Sequence, residues 1–192
     1  MRTFFKTQLW PAVSILLAFT VITGLIYPAA VTAIAQVAFP SQANGSMLVV
    51  DGQTVGSSLI GQTFDDPKYF SGRPSAAGAG YDPTVSGGSN LSSTSQALIT
   101  AITARVDALR AANGNAPIPV DLVTASASGL DPDISPAAAE YQVARVAKAR
   151  NMTEDQVRTM VSRHTSQPLL GFIGAASVHV LELNLDLDGA LK

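Results

Sequence analysis

The sequence predicts an α+β fold: a single N-terminal transmembrane helix followed by one extracytoplasmic α+β domain with a small mixed sheet. Three observations predict it. Residues 7–50 contain no Asp, Glu, Lys or Arg. After them, apolar residues at helical spacing alternate with short runs of period two. The charges that flank the apolar run are lopsided, with Arg2, Lys6 and the α-amino group before it, Asp51 as the first charge after it and Lys68 as the first basic residue after it.

The neutral run dictates the anchor. About 20 apolar residues of helix cross the ~30 Å hydrocarbon layer, and the run from Leu9 to Phe39 is longer than that. In lipid a lone span must satisfy its own backbone groups, so it is helical. Pro28 removes one donor and marks the expected kink. Basic residues stay on the cytoplasmic side. The chain therefore divides into residues 1–8 in the cytoplasm, 9–39 in the bilayer and 40–192 outside. The rival is a cleaved leader ending at Ala33-Ile34-Ala35; its apolar core would be about twice the usual 7–15 residues. The span has no ionisable side chain and cannot by itself conduct or pump ions. Thr20 with Gly24, and Ala29 with Ala33, place small residues where another helix could approach closely.

Composition narrows the functions. The soluble part is long enough for one domain with a core. A net charge of −2 with scattered charges excludes a nucleic-acid surface. The absence of cysteine removes thiol catalysis and cysteine metal sites, and two histidines, His164 and His179, are too few for a multi-histidine centre. We therefore expect no metal site and no catalytic residues. Serine hydrolysis lacks its Gly-x-Ser-x-Gly elbow.

The soluble elements follow in order. Residues 41–46 are a polar linker. Residues 47–50 and 54–60 form a hairpin about the Asp51-Gly52 turn. Residues 61–95 have no period, yet Phe64, Tyr69, Phe70 and Tyr81 argue that this segment is ordered and pinned by its rings. A helix from Ser95 to Asn113 carries Leu98, Ile102, Val106 and Leu109 on one stripe. Residues 120–124 are expected as a short strand. Ser135-Pro136 starts a second helix with the apolar face Ala139, Val143, Val146 and Ala147. Asn151 closes it, and Thr153 with Gln156 opens a third helix with a capping box. Finally, His179, Leu181, Leu183, Leu185 and Leu187 alternate with Glu182, Asn184, Asp186 and Asp188, which predicts an amphipathic strand with an acidic outer row.

Three motifs together resemble a known family. The first is Gly61-Gln62-x-Phe64 with Tyr69-Phe70-x-Gly72-Arg73-Pro74-Ser75-Ala76. The second is Ser86-Gly87-Gly88-Ser89-Asn90-Leu91. The third runs from Pro119 to Pro132 and on into Tyr141-Gln142-x-x-Arg145-Val146-Ala147-Lys148-Ala149-Arg150. The chain resembles the KdpC family, the C subunits of the Kdp potassium-transporting P-type ATPase, over nearly its whole length.

The resemblance implies a non-catalytic accessory subunit of an ATP-driven potassium uptake complex in the bacterial inner membrane. The implied partners are a potassium-channel-like A chain, a P-type ATPase B chain, a small F chain and the bilayer. ATP and Mg would belong to the ATPase chain, and K+ is the transported ion. The family is also described as a catalytic chaperone that raises ATP affinity. For that role the matching residues are Ser126, Ser128, Gly129, Leu130, Asp131 and Gln142. Topology puts them on the wrong side to meet cytoplasmic ATP, so such an effect would have to travel through partner helices. Read from its residues alone, Ser126–Asp131 has one Gly and no adjacent Lys, more a capped turn than a phosphate cradle. Arg73, Tyr69 and Phe70, in a rigid aromatic segment, are candidate partner contacts. The competing class is a membrane-anchored periplasmic module that binds a small ligand; it would purify alone, whereas a subunit brings larger membrane chains with it.

Overall fold

The computed structural model describes residues 2–190, which separate into two compact units that divide between Ser46 and Met47.

In the first unit, Lys6–Ala38 is the one helix among the described residues long and apolar enough to cross a membrane, with a mean hydropathy of 2.1. At ~1.5 Å per residue it is roughly 50 Å long, well beyond the hydrocarbon thickness. Two π-helical turns interrupt it, Phe5–Leu9 and Ile22–Ile26. Each directly precedes an α-helical segment with proline in its first turn, Pro11 in Trp10–Val21 and Pro28 in Tyr27–Ala38. Proline has no N–H to donate and its ring crowds the carbonyl four residues back. A wider turn relieves that crowding, so the irregularity expected at Pro28 is a π turn placed just before it. The linker is partly helical, Pro40–Ala43, where the sequence suggested only polar coil.

The second unit begins with β1 (Met47–Val50) and β2 (Gln53–Ser57), an antiparallel hairpin. Asp51 and Gly52 both have positive φ, 51° and 79°, as a tight two-residue hairpin turn demands. Residues 58–95 are irregular apart from one 3-10 turn, Pro83–Val85. Four helices follow: α1 (Gln96–Asn113), α2 (Pro136–Arg150), α3 (Glu154–Arg163) and α4 (Val180–Leu187). A second sheet has the order β3 (Asp133–Ile134), β5 (Ser177–His179), β4 (Thr165–Ser166). All the strand pairs described are antiparallel, where the sequence suggested a mixed sheet.

The caps read from sequence are present. Ser135 Oγ accepts from the Ala138 N–H at 3.0 Å, and Asn151 adopts φ 55° to end α2. Thr153 and Gln156 exchange both bonds of a capping box. The core gathers Ala139, Val143, Val146 and Ala147 of α2 with Val157 of α3, Val178 of β5, Leu183 and Leu187 of α4, and Phe70 from the irregular segment.

Two expectations are corrected. Residues 120–124 contain a 3-10 turn, Val120–Leu122, and no strand. The Thr124 N–H and hydroxyl both bond the Val120 carbonyl, so the backbone closes on itself instead of seeking a neighbour. The Leu-rich end is helix α4, and its strand, β5, stops at His179. Leu and Glu are good helix formers, and Val180, Leu183, Asn184 and Leu187 are buried at i, i+3, i+4 and i+7. His179 starts the helix by accepting the Glu182 N–H on Nδ1. The acidic row therefore does not exist: Asn184 is buried, Asp186 lies 3.0 Å from His164 Nε2, and Asp188 pairs with Arg150.

Candidate functional site: a knot of three motifs

The three motifs separated in sequence meet in one structure, and residues 67–75 are the strap on which they converge. The strap has no strand beside it. Most of its backbone groups are taken up by side chains instead, since buried peptide groups need a partner.

The first half is held by α2 and α4. Asn184 Oδ1 accepts the Phe70 N–H at 2.8 Å, and Asn184 Nδ2 donates to the Phe70 carbonyl at 2.9 Å. Gln142 does the same one residue on, accepting from the Ser71 N–H at 2.9 Å and donating to the Ser71 carbonyl at 3.2 Å. Two buried amides thus replace two neighbouring strands. Arg145 donates to the carbonyls of Pro67 and Tyr69 and to Gln142 Oε1. Burial pulls its guanidinium below the usual arginine range. Arg150 donates to the carbonyls of Lys68 and Leu187 and to Asp188, each at 2.7 Å.

The second half is held by the serine loop, residues 126–131. Arg73 pairs with Asp131 at 2.9 Å and reaches the Ala125 carbonyl. Ser75 donates to the Gly129 carbonyl at 2.6 Å and accepts from the N–H groups of Ala77 and Tyr81. The Tyr81 hydroxyl donates back to the Arg73 carbonyl. Burial, reinforced by the Asp131 charge and opposed by Arg73, pushes the Tyr81 phenol up to about 12. The second motif closes the far side, with the Gly87 N–H and Ser86 hydroxyl both donating to the Ser128 carbonyl.

Close approach leaves little room for a side chain at several glycines, Gly129 and Gly72 among them. Gly129 has φ +68°, and a Cβ there would lie 2.7 Å from the Gly87 carbonyl oxygen and 2.8 Å from Ala77. A Cβ on Gly72 would come 2.6 Å from the Tyr81 hydroxyl.

Each residue singled out from sequence has a definite place. Ser126 Oγ accepts the Gly129 N–H and Ser128 Oγ accepts the Leu130 N–H, so both hydroxyls cap their own loop. Asp131 is spent on Arg73 and on the Asp133 N–H. The Leu130 carbonyl accepts the Gly61 N–H. Gln142 is wholly buried on the strap. It does not bond the serine loop, although the strap links the two. Phe70 is 0 % exposed, so this candidate partner contact is a core residue that no partner reaches. Tyr69 donates to Asp188 at 2.7 Å, with Lys68 and Arg150 against its ring at 4.9 and 5.1 Å. The two terminal nitrogens of Arg73 are engaged inside the domain, on Asp131 and the Ala125 carbonyl. Thr20, Gly24, Ala29 and Ala33 are exposed on the anchor helix. Sequence reasoning missed Asn184 and Ser75; a polar residue at i+4 in the apolar spacing of Val180 was the available signal for the first.

A largely apolar recess of about 480 Å³ beside Arg73 is lined by Pro119, Val120, Ile134 and Ala176 together with Asp121, Asp131, Asp133 and Ser177. Asp121 is bonded by the Ser135 N–H and hydroxyl, and Asp133 by the Ser177 hydroxyl. Among the described residues no group of three or more His, Asp or Glu is arranged to hold a metal ion.

Comparison with known proteins agrees with this motif set. The family model described as "KdpC: K+-transporting ATPase, c chain" matches residues 9–189. A protein named potassium-transporting ATPase KdpC subunit from Sorangium cellulosum is 60 % identical, covering 95 % of this chain and 98 % of its own. Proteins of the same name from Herpetosiphon aurantiacus and Dechloromonas aromatica are 57 % and 53 % identical, covering 98 % and 97 % of this chain and 97 % and 100 % of theirs. With the match running from the membrane helix through the knot to α4, the chain belongs to the KdpC family of potassium-transporting ATPase subunits.

Proposed function

We propose that the chain is a non-catalytic clamp within an ATP-driven potassium uptake complex. It stabilises the association of a potassium-selecting, channel-like A chain with an ATP-hydrolysing B chain and a small F chain. The anchor helix crosses the inner membrane once with its N-terminus in the cytoplasm, and the α+β domain stands on the periplasmic side. ATP and Mg act at the B chain, and K+ passes through the partners. Thr20, Gly24, Ala29 and Ala33 offer close approach to a partner helix.

One observation carries this reading. The serine-loop residues that would cradle a nucleotide are already bonded within the domain, and the charged groups of the recess beside them are mostly carboxylates. Three carboxylates around a single, already paired arginine oppose a polyphosphate. Any rise in ATP affinity at the B chain then reaches it as a coupling free energy between separate sites. The small-ligand module gains nothing from these polar groups, since the strap consumes them.

The test is purification of the full chain in mild detergent from cells that express the whole operon. The clamp brings down two much larger membrane chains in fixed ratio; a chain recovered alone with a small molecule favours the binding module. Orientation is checked in the cysteine-free background. An Asp107→Cys chain on exposed α1 reacts with a membrane-impermeant thiol reagent added outside spheroplasts. Reaction only after lysis would reverse the topology.

A further inference from the structure

The hairpin between β4 and β5 ends in a tip unlike the rest of the domain surface. Pro168-Leu169-Leu170-Gly171-Phe172-Ile173 holds four large apolar side chains in five positions, and Leu169, Leu170, Phe172 and Ile173 are 67, 76, 77 and 50 % exposed. Scattered exposed apolar residues need no explanation, but a contiguous cluster marks a contact. Residues 165–178 contain no Asp, Glu, Lys or Arg.

The tip is preformed. Leu169 and Ile173 exchange backbone bonds at 2.9 Å, and the Gly171 N–H donates to the Pro168 carbonyl at 2.9 Å. Leu170 and Gly171 take φ 55° and 81°, which turns the chain sharply and leaves Leu170 and Phe172 pointing away from the domain. A knob fixed in advance loses little entropy on docking.

Charge decides what it docks into. Loops that dip into an anionic bilayer carry Lys or Arg around the apolar part. Here the base of the hairpin is ringed by carboxylates: Asp133 bonded to Ser177, and Glu182 and Asp186 beside His164. Arg163 is the one Lys or Arg among residues 160–190, beside the two histidines His164 and His179. Such a rim is repelled by anionic headgroups and tolerated beside a neutral or basic protein surface. We propose that this tip inserts into an apolar recess, with a neutral or basic rim, on the extramembrane face of a neighbouring subunit of the same transport complex, with Phe172 as the anchor. The inference rests on the clamp reading and names a contact surface for it.

The experiment uses the intact complex carrying Leu169→Cys, an exposed tip site that leaves the Phe172 anchor in place. Modification at residue 169 by a water-soluble maleimide is read by mass spectrometry in three states: intact complex in detergent, intact complex in vesicles, and the chain separated in harsher detergent. We expect modification at least tenfold slower in both intact states than in the separated chain. In parallel, Leu170→Ser with Phe172→Ser lowers retained partner chains about tenfold or more, as loss of a buried anchor does. Equal rates in all three states overturn the proposal. Protection in vesicles alone also overturns it, in favour of lipid. Unchanged retention in the serine variant sinks the proposal and leaves the clamp standing; failure of the unmodified chain to retain partners sinks the clamp itself.

Discussion

The strap at residues 67–75 and the β4–β5 tip are both irregular, but they face opposite ways. The strap is dense in motif residues and turns most of its backbone polar groups inward, with Asn184, Gln142, Arg145, Arg150, Asp131 and Gly129 among the partners. The tip carries no motif and turns its apolar side chains outward. Motif density here marks what the domain needs in order to fold, and exposed apolar surface marks what it offers to others. If so, changes in the strap should cost stability, and changes at the tip should cost assembly.

The largest expected effect is at Phe70. Phe70→Ala removes a wholly buried ring and should cost about 3–5 kcal/mol, measured by thermal unfolding of the full chain in micelles. A partner-contact role would instead leave the melting temperature unchanged and weaken only assembly. Next comes Gln142→Ala, which leaves the Ser71 N–H and carbonyl without their amide partner in a half-buried site and should cost about 1–3 kcal/mol in all. Gly129→Ala forces a Cβ against the Gly87 carbonyl at positive φ and should cost about 1–3 kcal/mol, with no effect on partner identity. At the small end, Leu170→Ser should change the stability of the separated chain by less than about 0.5 kcal/mol while reducing retention of partners. A large loss of stability there would erase the contrast.

The strap should also respond to pH. The Tyr81 phenol is raised in the fold, so its contribution is intact below the unfolded value near 10 and is lost as pH rises through about 12. The Asp188 carboxyl behaves oppositely. Burial alone would raise it, but hydrogen bonds from Tyr69 and Arg150 prevail and lower it. Its contribution is therefore present at neutral pH and is lost only in acid, below the ordinary carboxylate range. Unfolding followed at alkaline pH should show the Tyr81 effect vanish in Tyr81→Phe.

Much of this architecture was legible in the sequence. The charge-free run announced the anchor. Ser135-Pro136, Asn151 and Thr153 with Gln156 announced helix ends, because caps are local chemistry. The four rings in residues 61–95 announced order without secondary structure. The end of the chain was misread because Leu at every second position fits a strand and, with Val180 and Asn184, a helix equally well; only the core face chooses. Likewise Gln142, Arg145 and Arg150 are visible as a motif, but nothing local says that they hold a strap some seventy to eighty residues earlier. The exposure of Phe172 was hidden for the same reason. An apolar run looks identical in sequence whether it is buried or not.

The central claim is that the serine loop closes on itself and takes no nucleotide. Titration of Mg-ATP into the purified full-length chain in micelles, followed by calorimetry, tests it most directly. The account predicts no saturable heat for the wild-type chain and for Ser126→Ala with Ser128→Ala alike. Saturable binding by the wild-type chain that the double substitution abolishes would contradict it.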